Sequence, residues 1–326
     1  MVQYFVLCKT FFIRKRHQAS RKRGKNMSQW DKDYIALCKR ILSEGKEVEN
    51  RTGINTIKVP SHHFHLDLGE EFPVLTTKQL FFKQAIVEML WIYQAQSNDV
   101  RWLQERGCHI WDEWEIHEDG FWYASQMLPD GKGGLVKTDI KKEFGKEWAH
   151  TIGTAYGYIT NKFQMTQKLI KTIKENPTDR RMVMTLWQDD YVPTAVLPSC
   201  VWSSEWDVTD GKLNAWVHQR SCDVPLGLPF NVTQYSVLLN LIAHCTGLKP
   251  GTLDWSIKDA HIYVNQVDGI KEQIARFDEK GDLPAPKLWI NPEVRDFFAF
   301  DNSKELKDIK IEGYEHMGKI AFPIAQ

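Results

Sequence analysis

The sequence predicts one α/β or α+β layer fold around a single sheet, and three observations lead there. Strand-like and helix-like runs are interspersed along most of the chain. No composition shift and no Pro/Gly/Ser linker divides residues 30–326. The 326 residues are 42% hydrophobic and 12% aromatic, enough to bury one sizeable core in a single domain.

The elements follow in order from periodicity and punctuation. Residues 30–44 read as an opening helix and residues 56–68 as a strand. Residues 79–96 form a long, strongly apolar helix pattern in which Glu88 shares a polar stripe with Gln84. Between Glu118 and Ile152 the chain turns polar and contains Asp130-Gly131-Lys132-Gly133-Gly134, which predicts a surface insertion at about 118–152. Residues 163–176 are amphipathic and stop at Pro177, as a helix should. Residues 181–187, 196–208 and 212–220 read as strands, and residues 230–246 as an apolar helix closed by Gly247. A strand over 252–257 and a helix over 260–277 complete the pattern.

Asp210-Gly211 is a strong hairpin signal between two of these strands. A two-residue turn there pairs Cys200 with Ser221. A one-residue bulge in either strand instead brings Arg220 beside the thiol, where a fixed positive charge favours the thiolate. A cysteine in an apolar strand is otherwise an ordinary core residue.

Charge and cysteine usage narrow the class. Lys9, Arg14, Lys15, Arg16, Arg21, Lys22, Arg23 and Lys25 stand in residues 1–26 without an acid among them, so the rest of a chain with no net charge is acidic. An acidic body argues against a general DNA-binding surface. The basic lead reads as an upstream extension without a fold, with a nucleic-acid arm or a transit segment as alternatives. No apolar run reaches the length of a membrane span. The six cysteines lack CxxC or metal-ligand spacing, which predicts a reducing, cytoplasmic setting and no metal. His63 and His65 alternate onto one face of a strand, but no nearby Cys or acid in the sequence completes a ligand set, so a solvated strand is expected. No P-loop, GxGxxG or HExxH is present.

The block Leu197-Pro198-Ser199-Cys200 followed by Gln219-Arg220-Ser221-Cys222-Asp223-Val224-Pro225-Leu226-Gly227-Leu228-Pro229-Phe230-Asn231 resembles the thymidylate synthase family. Further segments match in order and approximate spacing: Arg51-Thr52-Gly53, Phe72-Pro73-Val74-Leu75-Thr76-Thr77-Lys78, Glu88-Met89-Leu90-Trp91, Ile110-Trp111-Asp112-Glu113-Trp114, Ala155-Tyr156-Gly157, Asp179-Arg180-Arg181 and Asp259-Ala260-His261-Ile262-Tyr263. The resemblance implies a catalytic domain over 27–326, with a mixed sheet flanked by helices that packs against its twin in a homodimer. It also implies reductive methylation of dUMP by methylenetetrahydrofolate to give dTMP and dihydrofolate, with folate as cosubstrate.

Site residues carry over position by position. Cys200 matches the nucleophile that adds to C6 of the pyrimidine, and Arg220 the residue that lowers its pKa and holds the nucleotide phosphate. Arg51, Gln219 and Ser221 match further dUMP ligands, joined by Arg180 and Arg181 from the partner subunit. Asn231 matches the amide that reads the pyrimidine edge, and His261 and Tyr263 the pair that binds the sugar hydroxyl. Glu88 and Tyr156 match residues that move protons. Lys78, Ile110, Trp111, Trp114, Asp223, Leu226, Gly227, Phe230 and Ala325 match folate-contacting positions, with Asp223 also catalytic.

Three departures stand out. Val201 replaces a His common in the family, Phe81 replaces another, and the chain ends in Gln326 where a small apolar residue is usual. A polar end that seals less well motivates a runner-up, a dUMP hydroxymethylase in which water captures the methylene intermediate. A third reading is an inactive relative that binds RNA or a partner through its basic lead.

Overall fold

In the computed structural model, which describes residues 28–129, 135–281 and 283–324, the chain folds around a seven-stranded mixed sheet. The basic lead 1–26 and Ala325 lie outside the described residues. Helix α1 (Gln29–Glu44) starts where Ser28 accepts the Asp31 N–H in a capping bond of 3.1 Å. Strands β1 (Lys46–Val48) and β2 (Thr56–Asp67) follow. Helix α2 (Phe82–Tyr93) is shorter than its apolar pattern at both ends. The Gln79 and Leu80 amides are taken by Gly318 O and Tyr314 Oη, and Gln96 beyond the other end adopts φ 51°.

After α3 (Val100–Gln104), the expected polar insertion contains an antiparallel hairpin of β3 (Phe121–Pro129) and β4 (Leu135–Glu143), a sheet of its own. Its charged second strand hid the alternation that marks a strand. Helices α4 (Gly157–Lys162) and α5 (Met165–Glu175) are separated around Gln164, which sits at φ 51° in left-handed backbone and delays the start of the helix predicted from residue 163.

Strands β5 (Val183–Thr185), β6 (Val201–Thr209) and β7 (Lys212–Gln219) form a meander, its last turn closed by Asp210 and Gly211 at φ 51° and 71°. Both positive φ values fit a tight hairpin turn. Strand β8 (Cys222–Asp223) leads into α6 (Gly227–Thr246), which ends at Gly247, φ 73°, the left-handed cap expected of a glycine there.

Strand β9 (Lys249–Tyr263) runs through residues 260–263, where the sequence pattern suggested helix. Ala260 and Ile262 are fully buried and pair with Val59 and Ile57, so sheet pairing overrides the local helical reading. Helix α7 (Val267–Lys280) and the paired strands β10 (Lys287–Ile290) and β11 (Ile309–Glu312) complete the fold.

The main sheet runs β1-β2-β9-β7-β6-β5, with β8 also on β9. Strand β9 is parallel to β7 and β8 and antiparallel to β2, which makes the sheet mixed. Helix α6, apolar almost all round, packs between α2 and the sheet, and most of its residues are buried. Trp202, Trp216 and Val183 stand exposed on the sheet. The pairing also corrects one expectation: His63 and His65 do have an acidic neighbour, because β9 brings Asp254 Oδ1 within 3.1 and 2.9 Å of their rings. Among the described residues no group of three or more His, Cys, Asp or Glu could hold a metal ion, and no helix is long and apolar enough to cross a membrane.

Candidate active site

The site begins with a bulge. Val201 pairs with Gln219 but Ser203 pairs with His218, so Trp202 is an extra residue in β6. Of the two registers open to the sequence, this is the one that sets Arg220 opposite Cys200: the Arg220 N–H donates to the Cys200 carbonyl at 2.9 Å. The guanidinium is fixed by Ser199 O (3.0 Å from Nε) and Pro198 O (2.7 Å from Nη2), and its Nη2 lies 3.9 Å from Cys200 Sγ. Burial pushes the Cys200 thiol up, and the charges of Arg220 and then Arg51 pull it back only in part. The arginine acts in the direction the sequence suggests, but burial outweighs it.

Tyr156 holds Cys200 from behind, its hydroxyl oxygen accepting the Cys200 N–H at 3.0 Å. Its backbone is left-handed, φ 46°. The neighbouring Gly157 is forced by a close approach: a Cβ there would lie 1.8 Å from Ser97 O. A tyrosine in that conformation costs about 1–3 kcal/mol, and such strain concentrates at functional sites.

Cys200 opens into a cavity of about 990 Å³, large enough for a nucleotide and a second ligand together. Arg51, Arg220, Ser221, Asn231, His261 and Tyr263 line it with the thiol. Ile110, Trp111, Trp114, Leu226, Gly227 and Phe230 supply an apolar and aromatic wall, with Asp223 and Tyr156 between the two groups. Phe81, Trp122, Lys142 and Ile324 are also on the wall.

Four positions from the sequence reading are not on the wall, and a fifth, Ala325, lies outside the described residues. Gln219 sits behind Asn231, 3% exposed, donating to Asn231 Oδ1 at 3.2 Å. Lys78 is 5% exposed, donates to Pro225 O at 2.5 Å and is lowered to about 8 by burial. Arg180 and Arg181 are exposed, Arg181 forked onto Asp179 at 2.9 and 2.8 Å.

A buried chain of hydrogen bonds backs the cavity. Trp255 Nε1 donates to Gln219 Oε1 (3.0 Å), Gln219 to Asn231, and Asn231 Nδ2 to Gln234 Oε1 (3.1 Å). Gln234 Nε2 then donates to Glu88 Oε2, whose other oxygen accepts from Trp111 Nε1 at 2.7 Å. Burial lifts the Glu88 carboxyl from 4.5 to about 7, against the pull of these two donors. A carboxyl poised there exchanges protons near neutrality.

Sequence reasoning missed Gln234, Trp122 and Lys142. Gln234 had a signal: it lies one turn beyond Asn231 on the same face of α6. Trp122 and Lys142 are a cross-strand pair of the hairpin. The indole donates to Glu113 O (2.9 Å) and the ammonium to Pro193 O (3.1 Å), so the pair joins two loops around the cavity mouth.

Comparison with known proteins agrees with this geometry. The sequence profile described as thymidylate synthase matches residues 32–326. A thymidylate synthase of Clostridium beijerinckii is 44% identical over 299 residues, covering 92% of this chain and 100% of that protein. Thymidylate synthase 1 of Bacillus subtilis is 36% identical over 318 residues at the same coverages. The solved thermostable thymidylate synthase A from Bacillus subtilis superposes with a TM-score of 0.75 at 34% identity, covering 92% of this chain and 100% of that one. With a thiol and arginine paired across a bulge, a carboxyl poised near neutrality and similarity over nearly its whole length, the chain belongs to the thymidylate synthase family.

Proposed function

We propose that this protein converts dUMP and methylenetetrahydrofolate into dTMP and dihydrofolate, with Cys200 as nucleophile. The observation that carries the reading is the pairing of Cys200 with Arg220 in a cavity that also holds the Glu88–Gln234–Asn231 chain. C5 of a pyrimidine is a poor nucleophile. Attack of Sγ at C6 moves an electron pair onto C5 and its neighbouring carbonyl, activating C5 for bond formation. Arg220 stabilises the developing thiolate, and with Arg51 and Ser221 it forms an anion-binding end suited to the nucleotide phosphate. Arg180 and Arg181, solvent-facing in the single chain, complete that end from the second subunit.

Asn231 presents one donor and one acceptor to the pyrimidine edge, its orientation set by Gln219 and Gln234. His261, held by Asp259 Oδ1 at 3.3 Å, and Tyr263 face the sugar. Glu88 takes and returns a proton at the pyrimidine carbonyl. Val201 is buried and has no polar group to offer, but the Gln234 amide ties Glu88 to Asn231, so the proton network does not require the His that Val201 replaces.

The folate supplies the one-carbon unit and the hydride when bound. The residues present fit such a group: Ile110, Trp111, Trp114, Leu226 and Phe230 make an apolar wall for a flat ring, and Asp223 offers a carboxylate to ring N–H donors. The same wall excludes water, which favours hydride over water capture and weighs against the hydroxymethylase reading.

The exposed sheet face suits a homodimer. Val183, Glu205, Trp216, Asp254 and His65 form one register row across it. Sedimentation at two protein concentrations checks the mass.

Incubation with dUMP and methylenetetrahydrofolate should give dTMP and dihydrofolate in equal amounts, lost on Cys200→Ser. Hydroxymethyl-dUMP with tetrahydrofolate would establish the runner-up, and no product from either route would sink both.

A further inference from the structure

One amide at the start of α7 joins three parts of the molecule that are remote in sequence. Gln266 is 1% exposed, and both of its N–H donors and its carbonyl oxygen are hydrogen-bonded. Its Oε1 accepts the Tyr263 N–H at 3.2 Å, and Nε2 donates both to Asp223 Oδ2 at 3.1 Å and to Pro323 O at 3.0 Å. A primary amide has two N–H donors and a carbonyl oxygen with two lone pairs, so this set uses both donors and one of the two acceptor positions. A carboxylate in its place has no donor, and an asparagine is one methylene shorter.

Two of the three partners, Asp223 and Tyr263, line the cavity, and the third adjoins Ile324, which also lines it. The other Asp223 oxygen accepts the Leu226 N–H at 3.0 Å, so the carboxylate is held between the entry to α6 and Gln266. The C-terminal segment is held against α7 by Arg276, whose Nη1 donates to Met317 O at 3.0 Å and Gly318 O at 3.2 Å. Farther along, the Phe322 ring lies on Gly269, where a Cβ would meet Cε1 at 2.6 Å. Beyond Lys319, the bond from Gln266 to Pro323 is the hydrogen bond that ties the described residues of this segment to the rest of the fold.

We propose that Gln266 is a positioning residue that couples the seating of the C-terminal segment to the orientation of Asp223, and so governs cosubstrate binding more than nucleotide binding. Asp223 and Ile324 both face the cavity, while Gln266 itself does not line it. Unseating Pro323 removes one of the two acceptors that fix the amide, and the amide's hold on Asp223 loosens with it. The inference rests on the function proposed above.

The test compares Gln266→Leu, Gly269→Ala and the double variant. Gln266→Leu keeps the volume and removes the bonds. Gly269→Ala displaces Phe322 without touching Asp223. Each single variant should raise the methylenetetrahydrofolate KM, Gln266→Leu by roughly ten- to a hundredfold, the scale of one hydrogen bond to a charged group. dUMP affinity by equilibrium dialysis should stay within about twofold, and the double variant should fall short of the product of the singles, the signature of coupled sites. Equal rises for both ligands, multiplicative effects, or a lowered melting temperature with unchanged kinetics would overturn it.

Carboxypeptidase trimming of the same variants reads the structural link without turnover. Faster trimming of Gln266→Leu than of wild type is expected, and equal rates contradict the link. A wild-type protein that fails to turn over dUMP refutes the functional reading, while the trimming result still decides the tie between Gln266 and the segment.

Discussion

The two ends of the cavity are made from different material. The end with Cys200, Arg220, Asn231 and His261 is set by adjoining strands, a bulge and the first turns of a buried helix, with the Cys200 backbone and the other three side chains braced by hydrogen bonds. The other end is assembled from the segment around Trp111 and Trp114, the hairpin residues Trp122 and Lys142, and the C-terminal Ile324. Sheet and buried helix fix atoms where bonds are made and broken. On the proposed function, loops and a terminal segment would wrap a larger ligand and exclude water, which needs coverage more than angular accuracy.

If that contrast is right, lesions at the first end should act on kcat and lesions at the second on the cosubstrate KM. Short of removing the Cys200 thiol itself, Glu88→Gln gives the largest expected effect among such lesions: kcat falls by about 10²–10⁴ while dUMP affinity changes little. In the wild type, kcat should rise with pH through about 7 as the Glu88 carboxyl ionises, and the variant should lack that limb. Its stability carries the opposite sign. A carboxyl raised from 4.5 to about 7 binds its proton more tightly folded than unfolded, so stability is lost as pH climbs through that window. The loss is about 3 kcal/mol and is absent from Glu88→Gln in urea titrations at about pH 5 and 8.

Gln234→Leu should come next. It leaves Glu88 and Asn231 in place but cuts the link between them, lowering kcat by roughly tenfold, the scale of one hydrogen bond to a charged group. Unchanged kcat would mean that the link is structural only.

Trp122→Ala is the mildest, because the hairpin adds to a wall that Trp111 and Trp114 already build. The cosubstrate KM should rise a few-fold, as expected when one partly exposed ring no longer shields the ligand from water, with kcat intact. A fall in kcat without a change in KM would erase the distinction between the two ends.

At the first end the thiol–arginine pair and Asn231 were legible in the sequence because they are local to one hairpin and the helix after it, whereas His261, on β9, was legible only through its family-like segment. Asp210-Gly211 announces the turn, and the only ambiguity was the register, which Trp202 resolves as the bulge residue. The second end was legible only where family-like positions stand in it. Trp122 and Lys142 sit in a hairpin whose charged second strand hides it, and Gln266 gains its role from partners 43 and 57 residues away. The misread start of the last long helix has a related cause. Residues 260–263 are held in strand by β2 and β8, elements that local periodicity does not see.

The proposed reaction turns on Cys200 forming a bond to the pyrimidine. Intact-mass and peptide mapping of protein incubated with 5-fluoro-dUMP and methylenetetrahydrofolate reads that bond, because the fluorine cannot leave C5 as a proton does and the adduct persists. The predicted result is one adduct per chain on the peptide carrying Cys200, absent from Cys200→Ser. An adduct on Cys222 or any other residue, or full product formation by Cys200→Ser, would contradict it.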